Sequence, residues 1–346
     1  MDVFIIYQFC TFGGVERVLL NRAKVYKENN LDVKITAGYL FDSGALDSFK
    51  IYIKEHHLED YISAKILNQG AFINLSEYDA IFVIDTPQVF DQIKKLKNVY
   101  IECHTHYSEN RQYLGDIPSN INGIIVPSIA FKKLIQGEFP HLPHVFVLPN
   151  PIPTEFFETG LIPVDKYFNK RLITYLGRLD DLKNYSEALN LFDLYVDQDE
   201  IMFTVIGNGV TQEENIHKLQ SKHILRKTLL RDQIGFDQVP YLIKLVKHHR
   251  GVYFSPSKGE SFGLSVAEFI SGGVPVLLSD IDAHRDLVEN DEDFLYSLGD
   301  VQLAKVKMDL ILENWEAMSH KVAEYSNKFR AKTFITAWDK FMATIA

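Results

Sequence analysis

Cysteine is almost missing from this chain: Cys10 and Cys103 are the two among 346 residues. Two thiols cannot make a disulfide framework, so the fold must rest on a hydrophobic core, and the usage fits a reducing compartment. Basic residues are outnumbered, 36 Lys and Arg against 46 Asp and Glu, which leaves a net charge of −10. That balance argues against a protein that holds nucleic acid through its phosphate charge. No apolar run reaches the roughly 18–20 residues that a membrane span needs. The opening residues, Met1-Asp2-Val3-Phe4-Ile5-Ile6-Tyr7-Gln8, lack a basic leader and break at Gln8, so they read as a buried strand and not a signal peptide. A cytoplasmic location is expected. The basic clusters Lys94-Lys95-Lys97 and Lys244 to Arg250 leave a peripheral membrane contact on the cytoplasmic face open. The dinucleotide fingerprint G-x-G-x-x-G is also absent, since Gln212 stands where Gly207-Asn208-Gly209 would need its third glycine.

What is present is an alternation of short apolar runs with helical patterns, which argues for α/β layering and parallel sheets. The chain is too long for one ordinary core and favours two domains. Strands are expected at 2–7, 32–38, 80–84, 98–102, 122–126 and 144–148 in the first half. In the second half they fall at 171–176, 201–206, 231–235, 252–255 and 274–278. Helices are expected at about 14–28, 46–56, 87–95 and 128–137, then 183–195, 211–228, 238–248 and 263–271. Three prolines in Pro149-Asn150-Pro151-Ile152-Pro153 remove backbone donors and hold the chain extended, so the join lies there. The expected division is 1–150 and 151–328. A last helix within 329–346, apolar at Phe334, Trp338, Phe341 and Met342, is expected to pack back on the first domain.

The most informative stretch is Ser255-Pro256-Ser257-Lys258-Gly259-Glu260-Ser261-Phe262-Gly263-Leu264-Ser265-Val266-Ala267-Glu268. A strand, a glycine loop and a helix N-terminus present backbone N–H groups and partial positive charge, which suits phosphate. Phosphate would repel Glu260 and Glu268, so these carboxylates more reasonably accept hydrogen bonds from hydroxyls. A phosphate seat flanked by hydroxyl-reading acids suits a nucleotide-sugar. Arg178 and Lys183 follow the strand 171–176 at its carboxyl end, where open α/β sheets bind ligands, so both cations are expected to point into a cleft. Their bland reading is a surface ion pair with Asp180 or Asp181. Glu268 could equally be a carboxylate favoured by the helix dipole, and Glu260 an exposed loop acid. The Phe262 side chain reads as core.

Spacing from Glu260 to Glu268 resembles the E-x7-E pattern of the retaining GT-B glycosyltransferases, especially glycosyltransferase family 4. Other segments fall in the order of that family. Phe12-Gly13-Gly14-Val15-Glu16-Arg17 resembles its first glycine loop, and Gly177-Arg178-Leu179 with Lys183-Asn184 resembles its G-R-L…K motif. Ile206-Gly207-Asn208-Gly209 resembles its G-x-G loop. Cys103-His104-Thr105-His106-Tyr107-Ser108-Glu109 stands where the family often carries a histidine facing the donor sugar. The resemblance implies a GT-B fold, two Rossmann-like domains facing a central cleft, with acceptor on the first and donor on the second.

It further implies that Glu260 reads sugar hydroxyls and Glu268 reads ribose hydroxyls. Ser261, Phe262, Gly263 and Leu264 would offer backbone N–H groups. Gly13, Gly14, Gly177, Gly207 and Asn208 would line the donor. Either His104 or His106 would face the sugar; alternation puts both on one face of an extended segment, with Cys103 opposite and Glu109 as a satellite. A zinc site is the rival for the histidines, but no further ligands stand at metal spacing. Asp197-Gln198-Asp199, Asp280-Ile281-Asp282 and Asp291-Glu292-Asp293 imitate a metal-holding Asp-x-Asp, yet two look like solvated turns and the middle one matches the family's own loop. No essential metal and no cofactor are expected.

The implied activity is retaining transfer of a hexose or N-acetylhexosamine from a nucleotide-sugar, most often a UDP-sugar. The acceptor would be a glycan, lipid-linked or protein hydroxyl, in bacterial surface glycan assembly. A nucleotide-sugar epimerase of the same fold and a non-catalytic partner subunit are the alternatives.

Overall fold

The computed structural model describes residues 1–67, 75–158, 160 and 169–345. Two units emerge: Met1–Pro153 with Arg330–Ala346, and Thr154–Phe329.

The first unit is built on seven strands: β1 (Asp2–Cys10), β2 (Lys34–Asp42), β3 (Ile62–Ile66), β4 (Ala80–Ile84), β5 (Val99–Glu102), β6 (Ile121–Val126) and β7 (Val145–Val147). They pair in the order β3-β2-β1-β4-β5-β6-β7, all parallel. The helices between them are α1 (Gly14–Glu28), α2 (Leu46–Glu55), α3 (Phe90–Ile93) and α4 (Ile129–Glu138). Parallel strands covered on both faces need near-continuous apolar runs. Ala80-Ile81-Phe82-Val83-Ile84 is such a run, buried at every position. β1 outlasts the apolar run at 2–7, because Phe9 and Cys10 still find ladder partners in Phe41 and Asp42. β3 falls where no strand is expected: its polar edge-strand sequence, Ile62-Ser63-Ala64-Lys65-Ile66, carries no strong apolar signal.

In the second unit the strands are β8 (Arg171–Leu176), β9 (Ile201–Ile206), β10 (Thr228–Arg231), β11 (Val252–Ser255), β12 (Val276–Ser279) and β13 (Leu295–Tyr296). Their order is β10-β9-β8-β11-β12-β13, again parallel. The helices are α5 (Tyr185–Asp193), α6 (Gln212–Ser221), α7 (Val239–His248), α8 (Leu264–Ser271), α9 (Asp282–Leu287), α10 (Val301–Glu313) and α11 (Trp315–Tyr325). The strand expected at 231–235 lies at 228–231 instead, because β9 offers partners only from Phe203 to Ile206. The helix expected over 211–228 stops at Ser221, and residues 225–227 form a separate short turn. The helix expected over 87–95 is likewise a short turn at 87–89 followed by four helical residues.

Both sheets have the doubly wound order in which the chain reverses direction beside the first strand. The crevice at the carboxyl ends at that reversal is where such sheets bind ligands. In the second unit the reversal lies between β8 and β11, and in the first between β1 and β4.

The last helix, α12 (Ala331–Met342), belongs to the first unit. Trp338 lies 5.5 Å from the Tyr26 ring, and Phe341 lies edge-on to Phe82, Tyr100 and Phe146 at 5.0–5.7 Å. Edge-to-face aromatic packing of this kind adds to the burial of apolar area.

Candidate active site

Two loops leave the reversal point of the second sheet, one after β8 and one after β11. They are laced together. The Lys258 N–H donates to the Leu182 carbonyl at 2.8 Å, and Lys258 Nζ meets Asp181 at 2.6 Å. At the centre of this seam Lys183 Nζ stands 2.5 Å from Glu260 Oε1, with the side chains 22% and 11% exposed. The Ser257 hydroxyl donates to the same carboxylate oxygen at 2.9 Å. Burial pushes the Glu260 carboxyl up, but Lys183 above all, with the hydrogen bond from Ser257, outweighs it, so its pKa falls below the usual carboxylate range. Glu260 is therefore an ionised, nearly buried acceptor, not the exposed loop acid of its bland reading.

Lys183 does not open the helix expected from residue 183. It ends a turn in which Asp180 Oδ1 accepts its backbone N–H at 2.8 Å, and α5 starts only at Tyr185. Asn184 between them takes the left-handed conformation, φ 53°, which asparagine tolerates better than most residues. Arg178 takes a different course. Its guanidinium is half-exposed and meets Asp180 at 2.8 Å, the surface pair of its bland reading.

Gly263 caps the start of α8 and is held at φ +89°. A Cβ there would lie 2.9 Å from Leu287 Cδ1, so both conformation and space require glycine. The first-turn N–H groups after it have no acceptor within the helix, which leaves partial positive charge at the loop. The Phe262 side chain is buried edge-on to Phe329 at 6.2 Å, a core role. Glu268 is fully buried on α8. Ser261 on the loop and Leu264 at the first position of α8 are of intermediate exposure.

Gly177, Gly207 and Asn208 are used inside the sheet end. Gly177 N donates to the Ile206 carbonyl at 3.0 Å, Gly207 N to the Arg231 carbonyl at 3.1 Å, and the Asn208 carbonyl accepts from Leu179 N at 2.6 Å. A Cβ on Gly207 would fall 1.8 Å from the Gly177 carbonyl oxygen. These glycines let two strand ends touch, and their N–H groups are not available to a phosphate.

The first unit places its own candidates at the matching strand ends. Gly13 precedes α1, and its N–H donates to Glu16 Oε2 at 2.6 Å; a Cβ on Gly14 would meet nothing within 4 Å. Glu16 is fully buried, and burial raises its pKa. His104 and His106 part company. His104 Nε2 lies 2.8 Å from Glu102 Oε1, and that buried carboxylate also takes both ends of the Arg22 guanidinium, at 2.5 and 3.0 Å. Burial pushes the Glu102 carboxyl up, yet Arg22 and His104 together hold it far below the usual range. The His106 ring instead lies 6.0 Å from Phe131. Asp85, just past β4, clamps the segment: its Oδ2 accepts from His104 N and Thr105 N at 2.9 and 3.0 Å, and its Oδ1 from the Tyr113 hydroxyl at 2.7 Å. Neither Asp85 nor the Arg22–Glu102 pair stands out in the sequence, where isolated charges carry no sign of burial.

His284 is equally silent in the sequence. It is fully buried on α9, and its neighbours are Ser279, Ser255 and, through the latter, Ser257. Three serines at the ends of β11 and β12 with one histidine after them are the only trace of this cluster in the sequence. The acidic pairs are occupied in other ways. Asp280 is gripped by Arg285 at 2.5 Å, and Asp291 by Lys321 and Tyr325 at 2.6 Å. Among the described residues no group of three His, Cys, Asp or Glu side chains is placed to hold a metal ion.

A cation thus stands beside an ionised carboxylate at the reversal point of a doubly wound sheet, on the loop that leads into a helix N-terminus. Residues 163–329 match the family model described as Glycosyl transferases group 1. That stretch, just under half of the chain, is similar to the family. Among curated proteins it is similar to the UDP-Gal:alpha-D-GlcNAc-diphosphoundecaprenol alpha-1,3-galactosyltransferase of Escherichia coli, 27% identical over 189 residues. That match covers 49% of this chain and 46% of the relative. Solved structures are similar over almost the whole chain. Anabaena HepE in complex with UDP-glucose has a TM-score of 0.76 at 15% identity, covering 99% of this chain and 100% of that one. The pneumococcal O-GlcNAc transferase GtfA in complex with UDP and GlcNAc has a TM-score of 0.70 at 13% identity, covering 100% and 99%. The lipopolysaccharide outer core galactosyltransferase WaaB scores 0.68 at 16% identity with full coverage of both chains. The fold of the chain is therefore the two-domain GT-B fold. Among the described residues, no helix is long and apolar enough to cross a membrane.

Proposed function

We propose that this chain is a retaining glycosyltransferase that moves a hexose or N-acetylhexosamine from a UDP-sugar to a hydroxyl of a glycan acceptor in bacterial surface glycan assembly. The observation that carries the reading is the Lys183–Glu260 pair, 2.5 Å apart at the reversal point of the second sheet. A protein that merely kept the fold would gain little from a buried ion pair there, because desolvation offsets most of its attraction. The relatives support the donor and acceptor classes by their names alone, a UDP-sugar donor and a diphosphoundecaprenol-linked acceptor.

In this reading the donor diphosphate lies against the first turn of α8. Lys183 neutralises the charge that grows on the diphosphate as the glycosidic bond breaks, so it favours the transition state over the ground state. Arg178 joins it by exchanging its exposed partner Asp180 for phosphate. Glu260 accepts hydrogen bonds from sugar hydroxyls and Glu268 from the ribose. The acceptor oxygen attacks the anomeric carbon from the face that the diphosphate leaves, and a donor phosphate oxygen takes the acceptor proton. The products are the glycoside with its configuration kept and the nucleoside diphosphate carrying that proton. No protein nucleophile, metal or cofactor is assigned a step.

The test is incubation of the purified chain with UDP-galactose, UDP-glucose or UDP-N-acetylglucosamine and a panel of lipid-diphosphate-linked and free glycan acceptors. UDP release that depends on acceptor supports transfer. Conversion of the sugar without acceptor would mean an epimerase, and a product of inverted configuration by NMR would remove the retaining mechanism.

A further inference from the structure

The carboxylate assigned to the donor sugar is held by a buried polar chain that the proposed reaction leaves unused. We propose that His284 is a positioning residue for Glu260: its ring ties the ends of β11 and β12 together and so fixes the loop that aims Glu260 at the donor sugar.

The bonds can be followed atom by atom. His284 Nδ1 lies 2.8 Å from the Ser279 carbonyl oxygen. A carbonyl only accepts, so Nδ1 carries the proton. The Ser279 hydroxyl, 3.2 Å from Nδ1, spends its own proton on the Ser257 carbonyl at 2.5 Å. The Ser257 hydroxyl spends its proton on Glu260 Oε1 at 2.9 Å. The one proton left to choose its partner is that of Ser255, whose oxygen is 3.4 Å from His284 Nε2 and 3.3 Å from the Ser257 hydroxyl. His284 thus holds Ser279 from one ring nitrogen and Ser255 from the other. Both serines meet Ser257, and Ser257 meets Glu260.

Every member short of Glu260 is buried: Ser255 5%, Ser257 1%, Ser279 0% and His284 0% exposed. The ring is out of reach of a ligand, so His284 acts through the loop. The network has one outlet to the donor side, the partly exposed Glu260. Apolar side chains would join two strand ends without the desolvation cost of four polar groups, and a fully satisfied polar network is the usual way to specify one arrangement. Charge agrees with the geometry. Burial lowers the ring pKa to about 4, with Lys183 acting in the same direction and Glu260 and Asp280 against it. The ring is therefore neutral near pH 7, and Nε2 can accept from Ser255.

This inference rests on the nucleotide-sugar reading, and the experiment separates the two. Calorimetry on the full chain compares UDP, which lacks the sugar, with UDP-galactose, UDP-glucose and UDP-N-acetylglucosamine. His284→Ala and Ser257→Ala should each weaken the preferred UDP-sugar about tenfold, the worth of one aligned hydrogen bond, and leave UDP affinity within about twofold. His284→Asn, whose amide nitrogen can replace Nδ1 against the Ser279 carbonyl, should recover to within about threefold of the wild type. Equal weakening of UDP and UDP-sugar, or no weakening of either, would overturn the positioning role. Should the wild-type chain bind no nucleotide, the nucleotide-sugar reading falls. Nitrogen-15 NMR of the ligand-free imidazole then decides the rest: a ring protonated at Nδ1 that responds to Ser257→Ala supports the link to Glu260, and an Nε2–H ring or one indifferent to that change refutes it.

Discussion

Replacing Lys183 by alanine leaves Glu260 as a carboxylate that is only 11% exposed and has lost its cation. Breaking a fully buried ion pair from one side costs ~3–5 kcal/mol. Lys183 itself is 22% exposed and water can enter the space it vacates, so the expected loss at pH 7 is about 2 kcal/mol. The sign with pH follows from linkage. In the wild type the Glu260 pKa is depressed; its contribution is full above the ordinary carboxylate range and is lost as pH falls through the folded value. In the variant, burial acts with less opposition and raises that pKa, so the carboxyl protonates before the wild-type one does. The difference in stability between the two proteins should therefore shrink as pH falls from about 7 to about 5. Adding Glu260→Gln to Lys183→Ala removes the stranded charge and should recover part of the loss at pH 7. Turnover should not recover, because the groups assigned to diphosphate and sugar are both gone; the single variant should lose on the order of 10²–10³ in rate, as for other transition-state charge partners. Urea denaturation of the three proteins at the two pH values, with donor turnover alongside, measures all of this. A loss that does not vary with pH, or a double variant no more stable than Lys183→Ala, would show that the two side chains are not the coupled pair that the geometry makes them.

Three further outcomes are expected. Trp338→Ala removes the ring that packs on Tyr26, Phe334 and Phe82 and should cost ~3–5 kcal/mol in chemical denaturation; a loss under about 1 kcal/mol would mean that α12 contributes little to the first unit. Gly207→Ala puts a Cβ 1.8 Å from the Gly177 carbonyl and should lower the melting temperature by several degrees, through strain of about 1–3 kcal/mol, with unchanged stability as the refuting result. Chelation with EDTA should leave transfer activity intact, and its abolition, restored by a divalent cation, would overturn the metal-free mechanism.

Strand positions could be read from the chain because parallel, doubly covered strands must be largely apolar, and 171–176, 201–206 and 252–255 are. The exceptions obey the same rule. β3 and β13 lie at sheet edges, where one short or half-polar strand suffices, and such sequences carry no distinct pattern. The motif order likewise placed Lys183 and Glu260 after adjacent strands, 77 residues apart in sequence. Adjacency of strand ends is a consequence of topology, which local residues announce. Partnership is not. Arg178 and Lys183 look alike as letters, yet one reaches Asp180 while the other turns to Glu260, because the turn between them reverses the chain. His104 and His106 differ for the same reason: Glu102 and Arg22, brought from β5 and α1, capture one ring and leave the other beside Phe131. His284 shows the limit most clearly. Four ordinary polar residues acquire a shared task only when two strand ends and a short helix bury them together, since the strength of a hydrogen bond depends on the water excluded around it.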